Sequence, residues 1–188
     1  IAAAYAENRR QGAAPGATGP APHAIARHPD VRRMLLTQKA LAQGGRALAL
    51  RIALALDFSE AAADAAEREA NEDLVQLLTP VAKSFLTDAG AEAANLAVQV
   101  LGGHGYIREW GVEQWVRDIR IAAIYEGANG IQALDLVGRK LALKNGRPAQ
   151  LYFDALSERF EQALGVLPSA SRAVEALQTL RDLTALVS

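Results

Sequence analysis

The chain has no cysteine, one methionine and few aromatic residues. Without cysteine there is no disulfide framework, no thiolate zinc site and no thiol nucleophile. The three histidines, His23, His28 and His104, are too scattered along the chain to suggest a metal cluster, so no metal ligand is expected. Neither charge sign is in excess: 20 Lys and Arg stand against 21 Asp and Glu, a net charge of −1. That balance gives no electrostatic reason to expect nucleic acid or an anionic membrane as a partner. No apolar run reaches transmembrane length, and no segment reads as a secretory signal. Sustained period-two alternation is also missing, so almost no strand is expected.

What is present is enough for a core. Hydrophobic residues make up 51% of 188 positions, which suits one domain, or one domain with a small appendage. The chain opens at Ile1 in mid-motif and is read as part of a longer protein. IAAAYAENRR reads as the last turns of a helix. Seven Gly and Pro residues between positions 11 and 30 predict a surface loop there. Pro29 and Asp30 suit the first turn of a helix, where a missing amide costs nothing and a carboxylate meets the positive helix end.

Apolar residues then recur at helical spacing. Met34, Leu35, Leu41, Leu48, Ile52 and Leu56 predict a helix over 31–58, interrupted at Gly44-Gly45, where close helix–helix contact would explain the glycines. Leu74, Leu77, Leu78, Val81 and Phe85 predict another over 71–88, kinked or divided by Pro80. A third covers 91–101 and ends in Gly102, Gly103 and Gly105, residues that favour a helix C-terminus. Helices over 112–124 and 130–144 follow. After Asn145-Gly146-Arg147-Pro148 the spacing predicts two more, one with Leu156 and Phe160, the other with Val174, Leu177 and Leu180, separated by Pro168. Trp110 and Trp115 read as core anchors, and Arg117, Asp118 and Arg120 as structural ion pairs. The fold class is therefore all-α: an antiparallel helical bundle over 1–144 with additional helices in a C-terminal extension over 145–188.

The most informative segment is IYEGANGIQ at 124–132. It sets a carboxylate, Glu126, at a corner between two predicted helices, followed by Gly127, whose missing side chain permits close approach to the backbone. With AVQVLGGHGYIREWGVEQWVRDIRIAAIYEG before it and IQALDLVGRKL after it, this run resembles the C-terminal helical domain of flavin-dependent acyl-CoA dehydrogenases. The resemblance covers residues 1–144 and is strongest over 97–141. HPDVRRMLLTQKAL at 28–41 and the extension after 145 resemble the larger members, which include enzymes similar to 3-methylmercaptopropionyl-CoA dehydrogenase.

The resemblance implies a reaction and a set of roles. Glu126 corresponds to the family base that removes the α-proton of an acyl-CoA thioester, while FAD accepts the β-hydrogen as hydride. Tyr125 and Gly127 would line the substrate cleft, with a backbone amide near Gly127 meeting the thioester carbonyl. Arg9 and Gln11 fall on the family's Tyr-x3-Arg-x-Gln pattern and, with Gln99, Gly102, Gly103 and Asn129, would bind FAD, in part across a subunit interface. Gly12 and Ala128 depart from the family pattern. Many members have Phe-Gly at the first position and a flavin-contacting Thr at the second. The implied partners are an acyl-CoA substrate, electron-transfer flavoprotein as electron acceptor and further copies of the chain in a dimer or tetramer. The implied location is bacterial-type cytoplasm, with the mitochondrial matrix as the alternative. The family's middle β-domain would complete the flavin site, so this chain alone is expected to be inactive. Rival readings are a same-fold acyl-CoA or nitroalkane oxidase, separated by oxygen reactivity, and an alkylation-response DNA-binding relative. The mixed charge of 145–188 does not favour the latter. A non-catalytic interaction module is the third rival, and the intact Tyr-Glu-Gly argues against it.

Overall fold

A computed structural model of the chain describes residues 1–164 together with Glu175 and Thr179. Among the described residues, α-helices span Ala2–Asn8 (α1), Pro29–Ala61 (α2), Ala65–Leu101 (α3), Val112–Arg120 (α4), Asn129–Asp135 (α5) and Arg147–Leu164 (α6). Short 3₁₀ turns join several of them. Among the described residues the extended pairing is one isolated antiparallel bridge, Arg10 with Ala24, so the all-α expectation holds. Of the last expected helix, with Val174, Leu177 and Leu180, only Glu175 and Thr179 fall among the described residues, and both are helical.

One expected break is absent: α3 is one helix through Pro80 and Gly90 rather than the two separate helices predicted. α2 runs through Gly44-Gly45 with the close helix–helix contact expected there. Packing supplies the reason. A Cβ on Gly45 would lie 2.8 Å from Leu86 Cδ2, and one on Gly90 would lie 3.0 Å from Ile119. The glycines let α3 approach α2 and α4 closely, and that burial outweighs their low helix propensity. In the other direction, the helix expected over 130–144 is cut short. α5 ends at Asp135 and passes into a π-helical stretch, Leu136–Lys140, before a 3₁₀ turn. Lys144 and Asn145 then adopt left-handed φ values of +50° and +58°, which turn the chain into α6.

Close packing divides the chain into two compact units: residues 1–49 with 83–128, and residues 50–82 with the chain from 129 onward. In the first unit α2 and α3 run antiparallel, since Gly45 meets Leu86 while Gln38 and Ala97 line one cleft. Its core gathers Ala2, Ala6, Met34, Val100, Leu101 and Val112, with Tyr5, Leu35 and Leu96 packed against them. The small residues on α1 let that short helix seat on α2 and the end of α3.

The loop after α1 is better organised than its composition suggests. His23 is buried; its Nδ1 accepts the Ala14 amide at 3.1 Å, and its Nε2 lies 3.1 Å from the Gly19 carbonyl oxygen. Backbone bonds from Gln11 N–H to His23 O and from Ile25 N–H to Arg9 O close the loop base. A 3₁₀ turn at Ile25–Arg27 then leads into α2.

In the second unit, Asp64 caps α3: its Oδ1 accepts the Ala66 amide at 3.2 Å. Lys144 bridges Glu69 at 2.6 Å and the buried Asp73 at 2.7 Å, tying the left-handed turn to α3. The hydrogen bond from Lys144 holds the Glu69 carboxyl below its ordinary pKa, and the bonds Lys144 donates to Asp73 and Glu69 raise its own. The start of α6, with Pro148 in its first turn, lies against Arg51 of α2 and Ala66–Leu74 of α3.

Two glycines give a contrast that unfolding measurements resolve. A Cβ on Gly105 would sit 2.6 Å from the Val98 carbonyl oxygen and 2.8 Å from Val98 Cα, which are backbone atoms with no freedom to swing away. Gly105→Ala is expected to destabilise the chain by about 1–3 kcal/mol in urea unfolding. Gly45→Ala meets only the tip of Leu86, and its gain of about 1 kcal/mol in helix propensity offsets the crowding. Equal losses for the two would show that the Val98 contact is not the constraint.

Candidate active site

α4 continues into a 3₁₀ turn, Ile121–Ala123, and the amides of Ile124 and Tyr125 both donate to the Ile121 carbonyl. The helix ends there. Glu126 takes φ = +52° and Gly127 φ = +86°. For an L-residue the left-handed conformation costs roughly 1–2 kcal/mol, whereas glycine adopts it freely. Two consecutive residues of this kind swing the chain out of the α4 direction. Glu126 is exposed, as are Ile124 and Tyr125, at 52% and 50%. The desolvation that a strong carboxylate base requires is therefore not supplied by the residues of this unit. The corner is tied down from α3: Lys83 Nζ donates to the Gly127 carbonyl oxygen at 2.7 Å.

A second feature of the same unit surrounds Arg9. Arg9 follows α1, its amide donating to the Tyr5 carbonyl at 2.8 Å, and its guanidinium has no ion-pair partner among the described residues. It shares a cleft of about 560 Å³ with Tyr5, Asn8, His104, Glu109 and Trp110. Tyr5 Oη lies 2.9 Å from His104 Nδ1. His104 stacks on Trp110 with ring centroids 5.5 Å apart and 17° between planes, and Tyr5 meets Trp110 edge-on at 5.2 Å. The wall is thus aromatic, with a cation and a carboxylate at the rim.

The structure brings Arg9 to the segment that follows α3, because His104 belongs to the 3₁₀ stretch Gly102–Tyr106. Gln99 is exposed on the last turn of α3, immediately before that stretch. Gly102 has φ = +60°, and a Cβ on Gly102 or Gly103 would meet nothing within 4 Å, so this backbone is open on that side. Gln11 is exposed; its amide donates to His23 O, and its carbonyl oxygen lies 2.9 Å from His28 Nε2. Asn129 is the first residue of α5, in the second unit.

Several readings from sequence change. Trp115 is 62% exposed and Trp110 39%, so neither is a core anchor. Trp110 instead stacks at the Arg9 cleft. Asp118 accepts a 2.6 Å bond from Gln114, one helical turn back, rather than pairing with Arg117 or Arg120. His104 and Lys83 were not singled out for the site. The contacts that place them, 99 and 44 residues away in sequence, leave no local periodic signal.

The helical architecture of the described residues has a counterpart among known proteins. The family profile "Acyl-CoA dehydrogenase, C-terminal domain" matches residues 2–142, three quarters of the chain. The chain belongs to the acyl-CoA dehydrogenase family. It is similar to 3-methylmercaptopropionyl-CoA dehydrogenase of Ruegeria pomeroyi, 46% identical over 133 residues, 71% of this chain. It is also similar to a butyryl-CoA dehydrogenase of Syntrophomonas wolfei, 37% identical over 134 residues, again 71% of the chain. The match spans 22% of the length of each of these relatives. Among solved structures, Caenorhabditis elegans ACDH-11 in complex with C11-CoA superposes with a TM-score of 0.78 at 21% identity, covering 98% of this chain and 29% of that one. At that identity the likeness is one of fold.

Proposed function

We propose that this chain is the C-terminal helical part of an FAD-dependent acyl-CoA dehydrogenase. In the intact protein, Glu126 is the base that takes the α-proton of an acyl-CoA thioester as the α,β double bond forms. The observation that carries this reading is the corner itself. A side chain that bears a carboxylate is kept at φ = +52°, where glycine or asparagine would sit at less cost. Backbone strain of this kind collects at functional sites.

The Glu126 carboxylate accepts the proton and becomes a neutral acid. Negative charge then grows on the thioester carbonyl oxygen, and a backbone N–H at Glu126–Gly127 is placed in sequence to donate to it. When bound, FAD supplies the two-electron acceptor for the β-hydrogen, which leaves as hydride. Tyr125 borders the same corner and contributes apolar wall. Closure over Glu126 by the rest of the intact protein raises its basicity toward the α-proton, since a desolvated carboxylate is the stronger base.

The residues present fit an FAD phosphate end in chemistry. Arg9 offers a guanidinium without an ion-pair partner among the described residues, whose fork matches phosphate oxygens. Gln11 and Gln99 offer exposed amides, and the Gly102-Gly103 backbone is open to close approach. Asn129 adds a further amide side chain. The electron acceptor proposed for the intact protein is electron-transfer flavoprotein, and the assembly a homo-oligomer.

The reading is tested by presenting the intact protein with acyl-CoA thioesters of different length and branching and an artificial electron acceptor. Reduction of the acceptor that depends on the thioester and yields the enoyl product supports it. Turnover that instead consumes oxygen and releases peroxide would assign the oxidase chemistry. The absence of both would sink the enzyme reading.

A further inference from the structure

We propose that Lys83 is a positioning residue for the base: its ammonium clamps the peptide that follows Gly127 and so holds Glu126 in its left-handed conformation. The inference rests on the reading of Glu126 as the base and adds a residue to it. Lys83 lies within α3, and its Nζ donates to the Gly127 carbonyl oxygen at 2.7 Å in a partly buried setting. That distance is short, as expected when the donor is charged. The bond joins residues 44 apart in sequence, so it links the corner to α3 rather than to its own neighbours.

The geometry explains why such a clamp is needed. Glu126 at φ = +52° and Gly127 at φ = +86° turn the chain out of the α4 direction. Gly127 has wide backbone freedom, so the peptide plane on its C-terminal side needs an external constraint. A cation on that carbonyl fixes the plane, and with it the direction in which the preceding Glu126 Cα–Cβ bond points. The same plane carries the Ala128 amide. Ala128 also lacks the hydroxyl that would otherwise offer the corner a second anchor. In this account Lys83 acts through the backbone.

The test compares Lys83→Met and Lys83→Arg in the intact, flavin-loaded protein, with Glu126→Gln alongside. Two quantities are read: hydrogen exchange at the amides of 125–129, and steady-state turnover of an acyl-CoA thioester. Lys83→Met is expected to speed exchange at the corner by about tenfold or more, with core amides of α3 unchanged. It should lower kcat by about 10–10²-fold while KM moves little, because a misplaced base costs rate rather than binding. Lys83→Arg keeps a cationic donor and should restore much of both. Unchanged exchange in Lys83→Met overturns the clamp, whatever Glu126 does. Faster exchange with unchanged kcat, in a protein whose Glu126→Gln variant is inactive, overturns the positioning role. A Glu126→Gln variant that keeps its turnover overturns the base assignment, and the positioning role falls with it.

Discussion

Glu126→Gln in the intact protein is expected to retain FAD and fold normally while turnover of acyl-CoA falls by about 10²–10⁴-fold. The substitution keeps the length and branching of the side chain and removes only its capacity to take a proton. Glu126 is exposed and no core cluster includes it, so the change opens no cavity. Backbone strain at φ = +52° is the same for Gln as for Glu, so stability should stay close to that of the parent. The assay is anaerobic reduction of bound flavin by acyl-CoA, beside thermal unfolding and the flavin absorbance of the purified variant. Slow reduction with full flavin content and an unchanged melting temperature supports the role. Near-normal reduction would place the base elsewhere in the protein.

Arg9→Ala is expected to weaken FAD binding in the intact protein by about 1.5–3 kcal/mol, the range for a hydrogen bond to a charged group. In dissociation constant that is about a 10–150-fold loss. Arg9 lies just past α1, exposed and without an ion-pair partner among the described residues, so its removal should leave helix content unchanged. Apoprotein titrated with FAD gives the affinity, and sedimentation shows whether flavin loss accompanies dissociation of the assembly. Glu109, in the same cleft, supplies a control, since a carboxylate near a bound phosphate would oppose it. Glu109→Gln should leave affinity unchanged or improve it. Unaltered affinity in Arg9→Ala would remove this residue from the flavin site.

Much of the helical plan was legible in the sequence because burial and periodicity agree along it. Met34, Leu77 and Leu78 are buried as their spacing predicts, whereas Leu56 and Phe85, placed on the same faces, are exposed. At Gly44-Gly45 the close contact expected from sequence is the one Gly45 makes with Leu86. The errors fall where local signals and tertiary packing disagree. Two helices were expected over 71–88 and 91–101, yet α3 continues between them, because Gly90 is a point of close contact with Ile119. The opposite happened at 136–146, where good helix formers pass through a π turn into a left-handed corner held by Lys144 to Glu69 and Asp73. A pairing across more than seventy residues has no trace in an eleven-residue window. At the site, Glu126 was visible from its motif, whereas its φ and its neighbour Lys83 were not. The Arg9 cleft was half visible. Arg9 came from a pattern, but the His104–Trp110 stack that walls it needed the chain to fold back on itself.

The φ of Glu126 also sets how this protein would respond to selection. Any campaign that ranks variants by melting temperature alone will favour Gly at 126, which relieves a left-handed non-glycine residue, over the residue proposed to do the chemistry. Durability and activity pull in opposite directions at this one position. Natural drift toward a sturdier chain would meet the same choice, so a relative that carries Gly or Asn here is best suspected of having kept the scaffold and given up the reaction.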